Sequence, residues 1–179
     1  MEVRTATLAD AAACAAIYAP YVHDTAVTFE TEVPTVAEMA SRITTALAAH
    51  EWLVLVADAE VIGYAYAREF KARAAYGWSV ETSVYLATDQ RRGGGGRLLY
   101  TELLARLAGR GYRRAFAGIT LPNDASVAFH RAFGFAESGV FRRVGWKLNE
   151  WRDVAWLQVD LLPSDQETDP PAAPGTAPR

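Results

Sequence analysis

The stretch WSVETSVYLATDQRRGGGGRLLYTELLARLAGRGYRRAFAGITL, Trp78 to Leu121, decides the fold. It opens with a strand-like alternation and reaches two arginines against four consecutive glycines. Leu99, Leu103 and Leu107 then recur at helical spacing until Gly109 and Gly111 stop them, and RRAFAGITL reads as a second strand. Strand, glycine loop, helix and strand in that order describe a right-handed crossover that sets two parallel strands in one sheet.

On the N-terminal side, EVRTAT alternates as a short strand, and Asp10 is placed to cap a helix carrying Cys14, Ile17, Tyr18 and Tyr21 on one face. Thr35 to Glu38 has the form of a capping box and opens a second helix with Met39, Ile43 and Leu47 aligned. WLVLVADAEVIGYAYAREF reads as two strands about a tight turn at Asp58, Ala59 and Glu60. On the C-terminal side, NDASVAFHRAFGF is a short helix ended by Gly134. GVFRRVGWKLNEW and DVAWLQVDLL are late strands. The fold class is mixed α/β, with antiparallel strands ahead of the crossover. The chain divides into one domain over residues 1–162 and a Pro/Ala-rich tail, 163–179, expected to be disordered because it has almost nothing to bury.

The chain has 179 residues, half of them hydrophobic, enough for one sizeable core. A net charge of −3 argues against a general nucleic-acid partner. Cys14 is the single cysteine and the three histidines are scattered, so neither a disulfide framework nor a metal site is expected. With no basic leader and no apolar run of spanning length, the expectation is a cytoplasmic protein without membrane contact.

The glycines need a reason, because glycine costs backbone entropy and starts helices poorly. A helix N-terminus exposes unpaired N–H groups, and bare backbone lets a phosphate reach them, with Arg91, Arg92 and Arg97 adding charge. A Walker A loop would need Lys then Ser or Thr where Arg97 and Leu98 stand. A dinucleotide site would need an acid at the end of the next strand, which ends in leucine. An arginine–glycine RNA-binding segment would be repeated and unstructured. A plain surface loop stays as an alternative from the glycines alone.

SVYLATDQRRGGGGRLL resembles the acetyl-CoA signature of the GNAT superfamily of N-acetyltransferases, Arg/Gln-x-x-Gly-x-Gly/Ala after a strand. Two registers fit, Gln90 with Gly93 and Gly95 or Arg91 with Gly94 and Gly96. Helix phase favours the second. FKARAAYGWSVETSVYL, LLYTELL, LPNDASVAFHRAFGF and GWKLNEWRDVAWLQVDL resemble the phosphinothricin and methionine sulfoximine acetyltransferase branch, and the likeness runs from Val3 to Leu162. It implies a central mixed, mostly antiparallel sheet with one splayed parallel pair, flanked by helices. It also implies acetyl-CoA as co-substrate, a small amino-acid-like acceptor and a homodimer. Gly95 stands where relatives have a bulkier residue, which implies a looser loop and a weaker hold on the cofactor.

Acyl transfer to an amine needs a proton acceptor, a donor for the carbonyl oxygen and relief for the leaving thiolate. Glu81 shares a strand face with Ser83 and Tyr85, opposite Val80 and Val84, where an acid is out of place unless paired or used. The resemblance implies that Glu81 is the catalytic base. It implies that His130 serves the sulfur or assists the base, although a lone histidine is more often an inert seam residue. The cofactor set is Val84, Tyr85, Leu86, Arg91, Arg92, Gly93, Gly94, Gly95, Gly96, Arg97 and Asn123. The carbonyl donor is expected on a bulge near Tyr85 or Leu86. Asn123 is equally a plain helix cap, with Asp124 as its rival. The acceptor set is Phe29, which the resemblance implies, with Lys71, Arg73 and Tyr76, cations for an anionic substrate and rings for its walls, although Lys71 and Arg73 also read as a solvated loop charge pair. Alternatives are a polyamine, aminoglycoside or protein N-terminus as acceptor, or a non-catalytic acyl-CoA-binding module.

Overall fold

The computed structural model describes residues 1–90, 93–162 and Pro174. The expectations for Arg91, Arg92 and the tail from Pro163, Pro174 apart, lie outside the described residues. The strands are β1 (Glu2–Thr5), β2 (Trp52–Ala57), β3 (Glu60–Glu69), β4 (Ser79–Leu86), β5 (Arg114–Leu121), β6 (Ala136–Lys147) and β7 (Glu150–Asp160). The helices are α1 (Ala11–Asp24), α2 (Val36–Ala49), α3 (Gly95–Gly109) and α4 (Asp124–Arg131). One sheet takes the order β1-β2-β3-β4-β5-β7-β6, antiparallel everywhere except between β4 and β5.

Helices cover both faces, which explains why β2 reads as unbroken hydrophobic sequence. Trp52, Val54, Tyr64 and Tyr85 meet Tyr18, Tyr21, Met39 and Ile43 of α1 and α2. Leu53, Leu55, Ala65 and Val80 meet Leu99, Tyr100, Leu103 and Leu107 of α3 on the other face. The α2 capping box forms as the sequence predicts: Thr35 N–H donates to Glu38 Oε2 at 2.7 Å, and Glu38 N–H returns to Thr35 Oγ1 at 3.2 Å. Asp10 behaves differently. It precedes α1, but its carboxylate accepts from Thr7 N–H at 2.7 Å and from both ends of the Arg4 fork at 2.7 and 2.8 Å. It staples β1 to the turn before α1 and does not cap the helix. The late hairpin also differs, because its turn falls at Leu148 and Asn149, both at positive φ, inside the segment that alternation marks as one strand.

The parallel pairing is short. Ser79, Val80 and Glu81 lie beside Arg114, Ala115 and Phe116, and the ladder then ends. The β3–β4 register runs unbroken from Gly63–Leu86 to Glu69–Val80, so β4 leaves β5 without the bulge that the resemblance implies. A side-chain rivet marks the point of parting. Thr82 Oγ1 donates to Phe116 O at 3.1 Å and receives the Tyr100 hydroxyl at 2.7 Å, since the carbonyl can only accept. Thr82 and Tyr100 are both buried. Thr82→Val strands a buried phenol, and chemical denaturation should show a loss of roughly 1–3 kcal/mol, whereas Thr82→Ser stays close to the parent. Equal stability of the two variants would refute the rivet.

Candidate active site

Where β4 and β5 part, a small cleft of about 60 Å³ opens, lined by Thr82, Val84, Ile119, Asn123, Ser126 and His130 among others. On the α1 face lies a larger cavity of about 450 Å³, walled by Phe29, Tyr66, Phe141, Val144 and Trp156, with Glu30, Arg68 and Glu81 as its charged groups. Ser83, Tyr85, Gly118 and Thr120 line both spaces. The two therefore meet through the gap in the sheet.

Glu81 faces the larger cavity together with Ser83 and Tyr85, the face that alternation assigns them. It is paired as well as placed for use, since Arg68 Nη2 donates to Glu81 Oε1 at 2.6 Å. Arg68 is missing from the sequence-based acceptor set. The signal for it was present, because Tyr64, Tyr66 and Arg68 alternate on β3, and Arg68 is the cross-strand neighbour of Glu81. Lys71, Arg73 and Tyr76, by contrast, are not among the residues lining the cavity. Lys71 instead lies over the rings of Phe70 and Tyr76, at 5.2 and 5.4 Å.

Phe29 walls the cavity from the loop between α1 and α2, and several ties hold that loop. Lys147 Nζ donates to Thr28 O at 2.8 Å, and Arg42 grips both Glu30 oxygens at 2.8 and 2.9 Å. Tyr18 bonds to Thr28 and reaches Glu30 at 3.1 Å. Phe29 rests on bare backbone, because a Cβ at Gly145 would come within 2.3 Å of its ring. An irregularity in β6 between Phe141 and Gly145, with Arg143 at φ 50°, brings Phe141 and Val144 over the same cavity.

His130 lies at the floor of the cleft, among Tyr100, Phe129 and Phe135. Its Nδ1 is 2.8 Å from Ser126 O, which can only accept, so Nδ1 carries the proton. Nε2 is then a bare acceptor, buried without a partner among the described residues. Burial pushes the imidazole pKa down, partly opposed by the Ser126 bond. The resting residue is a neutral proton acceptor.

Gly94 caps α3 at φ 81°, a left-handed conformation suited to glycine, and no side chain caps the helix. The first-turn amides of Gly95, Gly96 and Arg97 are thus uncapped by side chains. Gly93 and Gly94 are exposed, while Gly95 and Gly96 are buried. A Cβ at Gly95 would lie 2.5 Å from Leu55 Cδ2, so Leu55 takes the room that a bulkier residue at 95 would use. The looseness expected of this position is not what the packing shows. The Arg97 guanidinium lies 5.7 Å from the centre of the Phe133 ring.

The strand amides divide by direction. Ala87 N–H bonds to Ile62 O, so by alternation the Tyr85 amide also turns to β3, and Tyr21 engages both Leu86 N–H and Leu86 O. Val84 and Leu86 turn to the open side, and of the two it is the Leu86 amide that Tyr21 takes, which leaves the Val84 amide facing the gap. Asn123, not Asp124, is the cap of α4: its Oδ1 accepts from Ser126 N–H at 3.1 Å, leaving Nδ2 outside the cap. Among the described residues no group of three His, Cys, Asp or Glu could hold a metal ion, and no helix is long and apolar enough to cross a membrane.

Residues 3–156 match the acetyltransferase (GNAT) domain, and the chain belongs to that family. It is 39% identical over 161 residues to a phosphinothricin N-acetyltransferase of Streptomyces viridochromogenes, covering 90% of this chain and 88% of the other. It is 35% identical over 165 residues to an L-methionine sulfoximine/L-methionine sulfone acetyltransferase of Pseudomonas aeruginosa, covering 91% and 96%. The crystal structure of a phosphinothricin acetyltransferase from Sinorhizobium meliloti in complex with AcCoA superposes with a TM-score of 0.90 at 35% identity, covering 96% and 92%.

Proposed function

We propose that this acetyltransferase moves the acetyl group of acetyl-CoA to the amino group of a small, anionic, amino-acid-like substrate of the phosphinothricin or methionine sulfoximine type. The observation that carries the reading is the meeting of two cavities through the parted strands, a carboxylate on one side and a bare imidazole nitrogen on the other. The relatives' names supply the substrate class.

The residues fit the cofactor. The uncapped amides of Gly95, Gly96 and Arg97 suit its pyrophosphate, and Arg91 and Arg92 precede them closely in the sequence. The Val84 amide and the Asn123 side chain suit its arm and carbonyl oxygen. When bound, acetyl-CoA supplies a thioester carbon for the amine to attack and a thiolate to leave. Cys14 offers no acyl carrier, because burial pushes its thiol up to about 12, which favours direct attack in a ternary complex.

Glu81 accepts the amine proton. Glu30 also faces the cavity, but Arg42 and Tyr18 occupy its oxygens, whereas Arg68 takes only Oε1 of Glu81. His130, neutral with Nε2 bare, can take the second proton that the attacking nitrogen loses on becoming an amide and hand it to the departing sulfur. Arg68 and the walls of Phe29, Phe141 and Trp156 favour a compact anion over a polyamine or protein N-terminus. A second copy of the chain is the expected partner, because Trp146, Leu148 and Trp151 stand exposed together at the β6–β7 tip.

Thiol release from acetyl-CoA is expected with phosphinothricin or methionine sulfoximine present, and none with any amine would overturn the reading. Glu81→Gln should lower kcat by about 10²- to 10⁴-fold while coenzyme A still protects the protein against heating; an unchanged rate removes Glu81 as base. His130 should contribute to the acid limb of kcat/KM below the ordinary histidine value of about 6.5, because burial keeps it neutral, and that contribution should be lost in His130→Asn. An unchanged limb assigns it to another group. Sedimentation should show a dimer that Trp146→Glu dissociates; a parent monomer would dismiss the contact.

A further inference from the structure

Among the described residues that line the acceptor cavity, Arg68 is the one cation. It is spent on Glu81, the group assigned to take the amine proton. The pair is lopsided: the Arg68 side chain is 59% exposed and that of Glu81 only 16%. Glu81 is held in its strand, whereas the guanidinium reaches it from the solvent side. An arginine has five N–H donors, and the 2.6 Å contact joins one nitrogen, Nη2, to one oxygen. A single contact to an arginine that reaches in from solvent is exchanged more readily than a bidentate one, and a bidentate carboxylate or phosphinate partner is worth more.

The second carboxylate offers a contrast. Glu30 is gripped at both oxygens by Arg42, which does not line the cavity, and Tyr18 adds a further bond. Among the lining residues an incoming anion has one cation to recruit, and a bidentate hold on its guanidinium competes with the single bond to Glu81. The amine of the same molecule then arrives beside a carboxylate that has just lost its cation.

We propose that Arg68 is a specificity-determining switch: the acceptor's own anionic group draws Arg68 away from Glu81 and so releases the base, while an amine without an anion meets a base still occupied. This rests on the acceptor reading above and adds how the acceptor is chosen. Selectivity for amino acids over simple amines lies partly in activation of the base and not only in affinity. The apolar walls sort by size; the arginine sorts by charge.

The test compares L-methionine sulfone with its carboxamide, which keeps the amine and side chain but lacks the carboxylate. Each is measured as kcat/KM for the parent, Arg68→Gln and Arg68→Lys in the full chain. In Arg68→Gln the value for the sulfone should fall by about 10- to 100-fold, chiefly through KM. The value for the carboxamide should rise by up to about fivefold, because Glu81 starts free. Arg68→Lys, which keeps the cation and guards against a fold lost with the charge, should show a smaller fall for the sulfone and no gain for the carboxamide. Opposite movement of the two acceptors is something a merely structural arginine would not produce. Equal losses for both, or an unchanged ratio, overturns the switch while leaving the acceptor reading intact. If the parent acetylates neither, the acceptor reading fails and the switch with it.

Discussion

The parting of β4 from β5 after Glu81 and Phe116 is the constraint that the rest of the structure answers to. Breaking a ladder in mid-sheet strands backbone donors and acceptors in a buried region, and such groups must find partners. Here side chains provide them. The Thr82 hydroxyl takes Phe116 O, and Tyr21 of α1 engages both backbone groups of Leu86 at the end of β4. The opening is thus held between a short hydroxyl at its closed end and a phenol beyond it. Tyr100, donating to Thr82, ties the position of α3 to the same point. The helix whose first turn suits a phosphate and the gap suited to a thioester are set by one set of hydrogen bonds.

The charges of the acceptor cavity follow a similar economy. An unpaired carboxylate beside aromatic walls would be expensive, and each of the two present has an arginine. What distinguishes them is the arginine's exposure and the number of oxygens it takes. On the proposed reading, the same distinction separates a structural acid, tying the Phe29 loop to α2, from one available to a substrate.

Much of this was legible in the sequence, and for identifiable reasons. The crossover, the α2 capping box and the face shared by Glu81, Ser83 and Tyr85 rest on local chemistry or on short periods, which survive folding unchanged. What escaped depended on pairing across distance. Arg68 was hidden because its importance comes from standing across from Glu81 on another strand. Lys71, Arg73 and Tyr76 attracted attention by lying near Glu81 in the chain, yet they line no part of the cavity. The tautomer of His130 depends on a carbonyl one helical turn back, and the fit at Gly95 depends on Leu55, two elements away. The turn at Leu148–Asn149 was masked because neither residue is a glycine, although both adopt positive φ.

Ser83, Tyr85, Gly118 and Thr120 border both the cleft and the acceptor cavity, so the two share one doorway through the sheet. On the proposed reading, any acyl group longer than acetyl must extend through that doorway into the volume used by the amine. Tolerance for a longer acyl chain and tolerance for a bulkier acceptor then draw on the same few cubic ångströms. An enzyme built this way cannot broaden its range in one reactant without narrowing it in the other.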